Sequence, residues 1–437
     1  MDDSKLEDIV AFLTDFQWIF KHSNTKFIEA GILDTLPKHW AESLLCLSHA
    51  DFNNIPFGKI PASLERDLKD FLQRISDLTI TVPTIIVEER HLKPIRGINP
   101  KKLQEISRLS RQIHEICQER GITYLVDLGS GLGYLCQMLN ERFGYKILGI
   151  ECDEERVKTA QKRQEKFFPT STESVKFVKH FISISSWEFI ADELQKAFHV
   201  DPATTPVALV GLHACGDLTV TSVRLFERTE VIQAAIVMPC CYHKMSIDRG
   251  KPLNFPLSGR LMDILGKIPA GDGIVCRPFL RLACQQPASR WKRMTEEEHK
   301  IHGKNMFQRA ILDALTDEGQ EVQRMKKCGE RVTSSDDFVG AICGFEIRDS
   351  ITGSIIPWSS EHRSKWESLC EKYPRGGELA ECLTLLQTTI QELCENVILL
   401  DRKLAVEEAS KGFSCSLVKI LDADTSPRCI VLIATKA

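Results

Sequence analysis

Three places in the sequence hold residues whose types and spacing could do chemistry. The first is the run VDLGSGLGY from Val126 to Tyr134, in which Gly129, Gly131 and Gly133 follow Asp127 at alternate positions. An apolar run ends there and a helical pattern begins, so the glycines permit a tight turn and close approach of a ligand to the amides that open the helix. The second is Glu151, 22 residues beyond Gly129 at the end of the next apolar run. A carboxylate at that position can accept hydrogen bonds from both ribose hydroxyls of an adenosine. The third is a pair of runs, GLHACGDL at Gly211 to Leu218 and MPCCYHKM at Met238 to Met245. It carries His213, Cys215, Asp217, Cys240, Cys241, Tyr242, His243 and Lys244.

Those places are set in an alternation of short apolar runs and helical stretches, the pattern of a parallel sheet covered on both faces. The runs are 123–128, 146–151, 175–182, 207–212 and 231–238. The helices expected between them are 134–143, 154–167, 186–198 and 218–228, preceded by one at 101–120 that Asn99-Pro100 opens. Near the C-terminus Leu383, Leu386, Ile390, Leu393, Val397, Leu400 and Leu404 mark one apolar helix stripe, expected to pack on the sheet. SCSLVKIL, DADTSP and CIVLIATK then read as an antiparallel hairpin at a sheet edge. Five parallel strands followed by such a hairpin is the class I methyltransferase (Rossmann-like) layout, and a mixed α/β sheet of that kind is the expected fold.

In such sheets ligands sit beyond the carboxyl ends of strands, where strand order reverses. With an adenosine ligand over the first two strands, the ends of the fourth and fifth face an acceptor. The dinucleotide fingerprint wants a glycine where Tyr134 stands, so S-adenosylmethionine, which has no pyrophosphate to cradle, is the expected cofactor. Asp127, Gly129, Ser130, Gly131, Gly133 and Glu151 are its expected binding residues. His213, Cys240, Tyr242 and His243 are the expected catalytic residues, a histidine taking a proton from a hydroxyl or amine held in line with the methyl. Two other readings of the same cluster stay open. Its cysteines and histidines are competent zinc ligands but lack a recognised ligand spacing, so no metal is assigned. The small Cys and Gly residues could also simply pack beneath the cofactor while the histidines satisfy local hydrogen bonds. The Asn-Pro-Pro-Tyr type of signature that serves adenine amino groups is missing, its place taken by Leu212-His213-Ala214-Cys215.

The chain has 437 residues, 43% of them hydrophobic and 27% charged, which excludes collagen, disordered tails and small disulfide scaffolds. With 56 Lys and Arg against 60 acids, the net charge of -4 supplies no global field for nonspecific nucleic-acid binding. A polyanion would have to be met locally, and 242–295 has ten Lys and Arg against three Asp, with Phe255, Phe279 and Trp291 interleaved. RNA is the partner expected there, with a solvated insertion or a protein partner as alternatives. Sixteen cysteines without a Cys-x-x-Cys pair suit a reducing compartment. The acidic N-terminus reads as no signal peptide, and no run is apolar enough to span a membrane. The expected location is intracellular, cytoplasmic or nuclear.

NPKKLQEI at Asn99 to Ile106, VDLGSGLGYL, GIE at Gly149 to Glu151, GLHACGDL, PCCYHKM and ILLDRKLAVEE at Ile398 to Glu408 together resemble the methyltransferase-like 25 family. More distantly, His-x-Cys-Gly and Cys-Cys-Tyr-His are similar to elements of eukaryotic tRNA 2'-O-methyltransferases. That likeness implies RNA as substrate and a ribose hydroxyl as acceptor. It also implies Asp127, Gly129, Gly131 and Glu151 at the cofactor, with His213, Cys240 and His243 bordering the reacting atoms. The expected organisation is a helical N-terminal region at 1–95, a methyltransferase core at 96–241, an insertion at 242–375 and a C-terminal helix and hairpin at 376–437 that completes the core. The expected function is S-adenosylmethionine-dependent methyl transfer to RNA. The alternatives are a protein or small-molecule methyltransferase and a cofactor-binding scaffold without turnover.

Overall fold

The computed structural model describes residues 3–85, 98–285, 288–325, 337–421 and 429–437. Its chain divides into two compact units, one of residues 1–10, 80–287 and 394–437, the other of 11–79 and 288–393. The division differs from the four segments drawn along the sequence, since 242–287 stays with the sheet while 288–393 joins 11–79. The boundary expected near residue 95 and the DADTSP turn lie outside the described residues.

The first unit is built on a seven-stranded sheet. Its strands are β1 (Tyr124–Leu128), β2 (Lys146–Glu151), β3 (Val175–Lys179), β4 (Val207–Cys215), β5 (Ile232–Cys240), β6 (Phe413–Lys419) and β7 (Ile430–Lys436). They lie in the order β6-β7-β5-β4-β1-β2-β3. β1 to β5 are parallel, and β7 runs antiparallel between β5 and β6. The order reverses between β1 and β4, so the ends of these strands flank the switch point. Side chains alternate between two buried clusters. Leu125, Ile147, Val175 and Ile236 face Leu103, Ile113 and Leu139, while Val126, Leu148, Leu209 and Val237 face Ile190, Leu194, Val223 and Val406. Burial on both faces explains runs that are continuously apolar rather than alternating. Ahead of the sheet in the sequence, Thr84 forms a parallel bridge with Lys419 of β6.

Helix boundaries follow local chemistry. α1 (Pro100–Glu119) starts on Asn99, whose side chain accepts from Lys102 N–H, with proline in the first turn. α2 (Tyr134–Phe143) is bracketed by Gly133 and Gly144, both left-handed. α3 (Glu154–Phe167) is capped by Asp153, which accepts from Glu155 and Arg156 N–H. α4 (Trp187–Phe198) and α5 (Asp217–Arg228) complete the alternation.

The second unit is mostly helical, with a small antiparallel sheet formed by Gln320–Arg324, Phe345–Asp349 and Ile355–Ile356. The buried Trp40 and Phe71 pack ring against ring there, with half-buried Phe16 against both. A cavity of about 740 Å³ lies beside His49, Phe52, His299, Trp366 and Glu381. Glu381 meets Nδ1 of both His299 and His302, at 2.5 and 2.6 Å. The sequence pattern did not single out that group, whose members come from distant stretches.

Candidate active site

The loop from β1 to α2 is built around backbone that only glycine adopts freely. Gly129, Gly131 and Gly133 have φ of 76, 57 and 75°. A Cβ at Gly133 would lie 2.3 Å from the Phe177 ring, whereas one at Gly131 would meet no atom within 4 Å. The loop is therefore packed tightly on one side and open at its middle glycine. Gly129 and Ser130 N–H donate to Ile150 O, and Gly131 N–H donates to Glu151 Oε2 at 3.0 Å. Ser130 Oγ is buried with no hydrogen-bond partner among the described residues. A buried hydroxyl without a partner, one residue from the open position at Gly131, suits a polar ligand.

Glu151 is only 6% exposed. Its Oε1 accepts from Asp153 N–H at 3.1 Å and its Oε2 from Gly131, which leaves a carboxylate with further lone-pair capacity at the loop. Asp127 is placed differently from the expectation. Its carboxyl is buried below the loop and accepts from Cys136 Sγ at 3.0 Å, so it supports the turn rather than reaching a ligand. Burial pushes its pKa up to about 7 against the Cys136 hydrogen bond, with the nearby Glu151 charge adding to the rise.

Across the switch point β4 has a register shift between Gly211 and Ala214, after which Ala214 pairs with Pro239 and Cys215 with Cys240. Such an irregularity re-aims side chains. His213, within it, has a side chain 39% exposed, and its Nε2 stands 3.6 Å from the buried Glu105 carboxylate on α1. Gly216 follows at φ 56°, and a Cβ there would lie 2.8 Å from Lys244 O. Asp217 then accepts from Ser246 N–H and Oγ and from Asn254 Nδ2, fastening the segment after β5 to the start of α5.

The two strand ends bring three thiols together. The Sγ atoms of Cys215, Cys240 and Cys241 lie within 4.8 Å of one another, and Cys215 Sγ is 3.0 Å from Cys240 Sγ. The hydrogen bond from Cys240 lowers the Cys215 thiol below the usual range, and that bond together with burial raises Cys240.

Residues 101–248 match the family model of a methyltransferase domain. The chain carries a methyltransferase domain. It is similar to the human protein named "Probable methyltransferase-like protein 25", with 28% identity over 244 residues, covering 52% of this chain and 36% of the relative. The mouse protein of the same name is 26% identical over 234 residues, covering 52% and 37%. The chain thus matches little more than a third of the length of these relatives. Among solved structures, YjhP from E. coli aligns with 11% identity over 75% of this chain and 90% of its own, at a TM-score of 0.22, too low to bear on the fold.

Within the methyltransferase domain the expected site residues fall into two groups. The glycines, Ser130 and Glu151 gather at the loop, while His213, Cys240 and His243 stand at the β4 and β5 rim. Tyr242 does not join them. It is 1% exposed, its hydroxyl donates to Glu395 at 2.8 Å, and Arg402 lies over its ring, so it anchors the fold and does not reach an acceptor. His243 faces Cys284 Sγ through Nδ1 at 3.2 Å. Phe255, Phe279 and Trp291 are fully buried, the first two stacked on each other, so they offer no platform for bases. Apolar rings of that size go to the core even in a basic stretch. Glu105 and Cys136 were not foreseen, since each meets its partner only through the tertiary fold. No helix among the described residues is long and apolar enough to cross a membrane. A methyltransferase domain implies a methyl donor of the S-adenosylmethionine type.

Proposed function

We propose that the chain is an S-adenosylmethionine-dependent methyltransferase acting on RNA. The observation that carries this reading is the glycine loop, open at Gly131 and tied to a buried Glu151, at the end of the strand that pairs in parallel with β4, which carries His213. Glu151 and Ser130 Oγ would hold polar groups of the adenosine donor. The first turn of α2, which has no side-chain cap, offers amides to its carboxylate. When bound, that donor supplies an electrophilic methyl group. The protein's own task is to orient the acceptor and remove its proton. Glu105 beside Nε2 favours the tautomer protonated there, which leaves Nδ1 of His213 to accept a proton from a hydroxyl or amine. Glu105 then stabilises the imidazolium.

RNA as acceptor rests on charge. Every Lys and Arg from Lys244 to Arg281 is exposed, directly after the rim residues. Transfer of labelled methyl groups to fractionated cellular RNA and protein, followed by nucleoside analysis, tests the proposal. Label in one modified nucleoside, lost in His213→Ala, is expected. Label confined to protein or small molecules overturns the RNA assignment. Donor binding without transfer to any fraction overturns the catalytic one.

A further inference from the structure

We propose that Cys215, Cys240 and Cys241 together bind one zinc-class cation through their sulfurs, with the fourth position open to solvent. This goes beyond the methyl-transfer reading and does not depend on it.

The three thiols come from the ends of two neighbouring strands and the residue after one of them. Parallel pairing sets Cys215 beside Cys240, and Cys241 follows with a left-handed backbone at φ 48° and ψ 46°. That conformation costs a non-glycine residue about 1 kcal/mol or more, and here it accompanies the placing of a third sulfur beside the other two. Zinc binds thiolate at about 2.3 Å, so tetrahedral geometry sets sulfurs roughly 3.8 Å apart. The observed group, with one pair at 3.0 Å and all three within 4.8 Å, brackets that spacing. Small rotamer changes would equalise it. Three soft sulfurs without a carboxylate select zinc over magnesium or calcium.

Cys240 is buried while Cys215 and Cys241 are half-buried, so the trio opens toward solvent on one side. A set of three protein ligands with one accessible position is the arrangement of sites that exchange their fourth ligand, unlike closed four-ligand structural sites. The neighbouring histidines are engaged elsewhere, His213 near Glu105 and His243 against Cys284. Binding would release the thiol protons to solvent.

The test uses the full chain purified under reducing conditions without chelator. Zinc per chain is measured by plasma mass spectrometry, and thiolate coordination by absorption after replacement with cobalt. One zinc per chain and a thiolate-to-cobalt charge-transfer band are expected. Cys215→Ser and Cys241→Ser should each weaken zinc retention at least about tenfold. Cys46→Ser, at an exposed thiol outside the trio, should retain it. Circular dichroism verifies that the variants fold, and the two half-buried positions carry the test if Cys240→Ser does not. Failure of the wild-type chain to take up zinc from solution, with no cobalt band, overturns the proposal. A Cys215–Cys240 disulfide in protein isolated with its thiols blocked also overturns it, because two ligands would be consumed. Zinc retained in a chain that transfers no methyl group would sink the proposed function and leave this inference standing.

Discussion

Asp127 and Glu151 end neighbouring strands, yet burial gives them different work. Glu151 keeps one oxygen on the Gly131 amide and has lone pairs to spare, so Glu151→Ala should weaken S-adenosylmethionine binding by roughly tenfold or more through lost charged hydrogen bonds. His213→Ala should leave that affinity unchanged and lower the transfer rate by about 10²–10⁴. Calorimetric titration and single-turnover rates separate the two, and equal loss of binding in both variants would contradict the division of roles. Asp127 answers to pH. Its folded pKa of about 7 stands above the ordinary value of 3.8, so the native state holds the proton more tightly than the unfolded chain. Its contribution to stability is complete below about pH 4 and is lost as pH rises through 7, at most on the order of 4 kcal/mol. Urea denaturation of Asp127→Asn should therefore show a flatter decline of stability between pH 4 and 7 than the parent chain.

The long helix Gly376–Ala409 shows how an element departs from its pattern. The apolar stripe is present and buried except for half-buried Leu404, but Leu385, Cys394, Ile398 and Leu399 are buried too, so the helix is enclosed on nearly all sides. Enclosure makes its polar residues partners of specific groups. Asp401 accepts from Leu257 N–H, Ser258 N–H and Ser258 Oγ, all between 2.8 and 3.0 Å. Asp401→Ala would orphan these buried donors and should cost about 2–4 kcal/mol, read as a lower denaturation midpoint. The β1–α2 loop is equally exacting. Gly133→Ala combines a left-handed backbone with a clash against Phe177 and should cost about 1–3 kcal/mol. Phe177→Leu in the same chain should recover part of that loss, which a double-mutant cycle would detect.

Over the whole molecule the net charge of -4 opposes nonspecific RNA binding, so the proposed RNA contact rests on a local group, the exposed cations after β5. Replacing Arg249, Arg260 and Arg281 by Gln should reduce the dependence of RNA affinity on salt by up to about 0.7 in the log–log slope for each lost phosphate contact. A slope unchanged in the triple variant would place the contact elsewhere. Most of the parallel core could be read along the chain, because its determinants are local. Gly133, Gly144 and Asp153 stop and start α2 and α3 through backbone conformation and capping, and continuous apolar runs announce strands buried on both faces. What lay beyond reach was partnership between distant positions. Glu105 meets His213 across α1 and β4, Cys215 meets Cys240 only through strand register, and Tyr242 turned out to be an anchor because Glu395 and Arg402 enclose it. The sequence by itself determined the alternation of strands and helices and the glycine loop with its acid. Tertiary structure alone decided which titratable groups share a rim and which are buried, because pairing between strands and packing of helices are set by the order of the whole sheet, which no local period encodes.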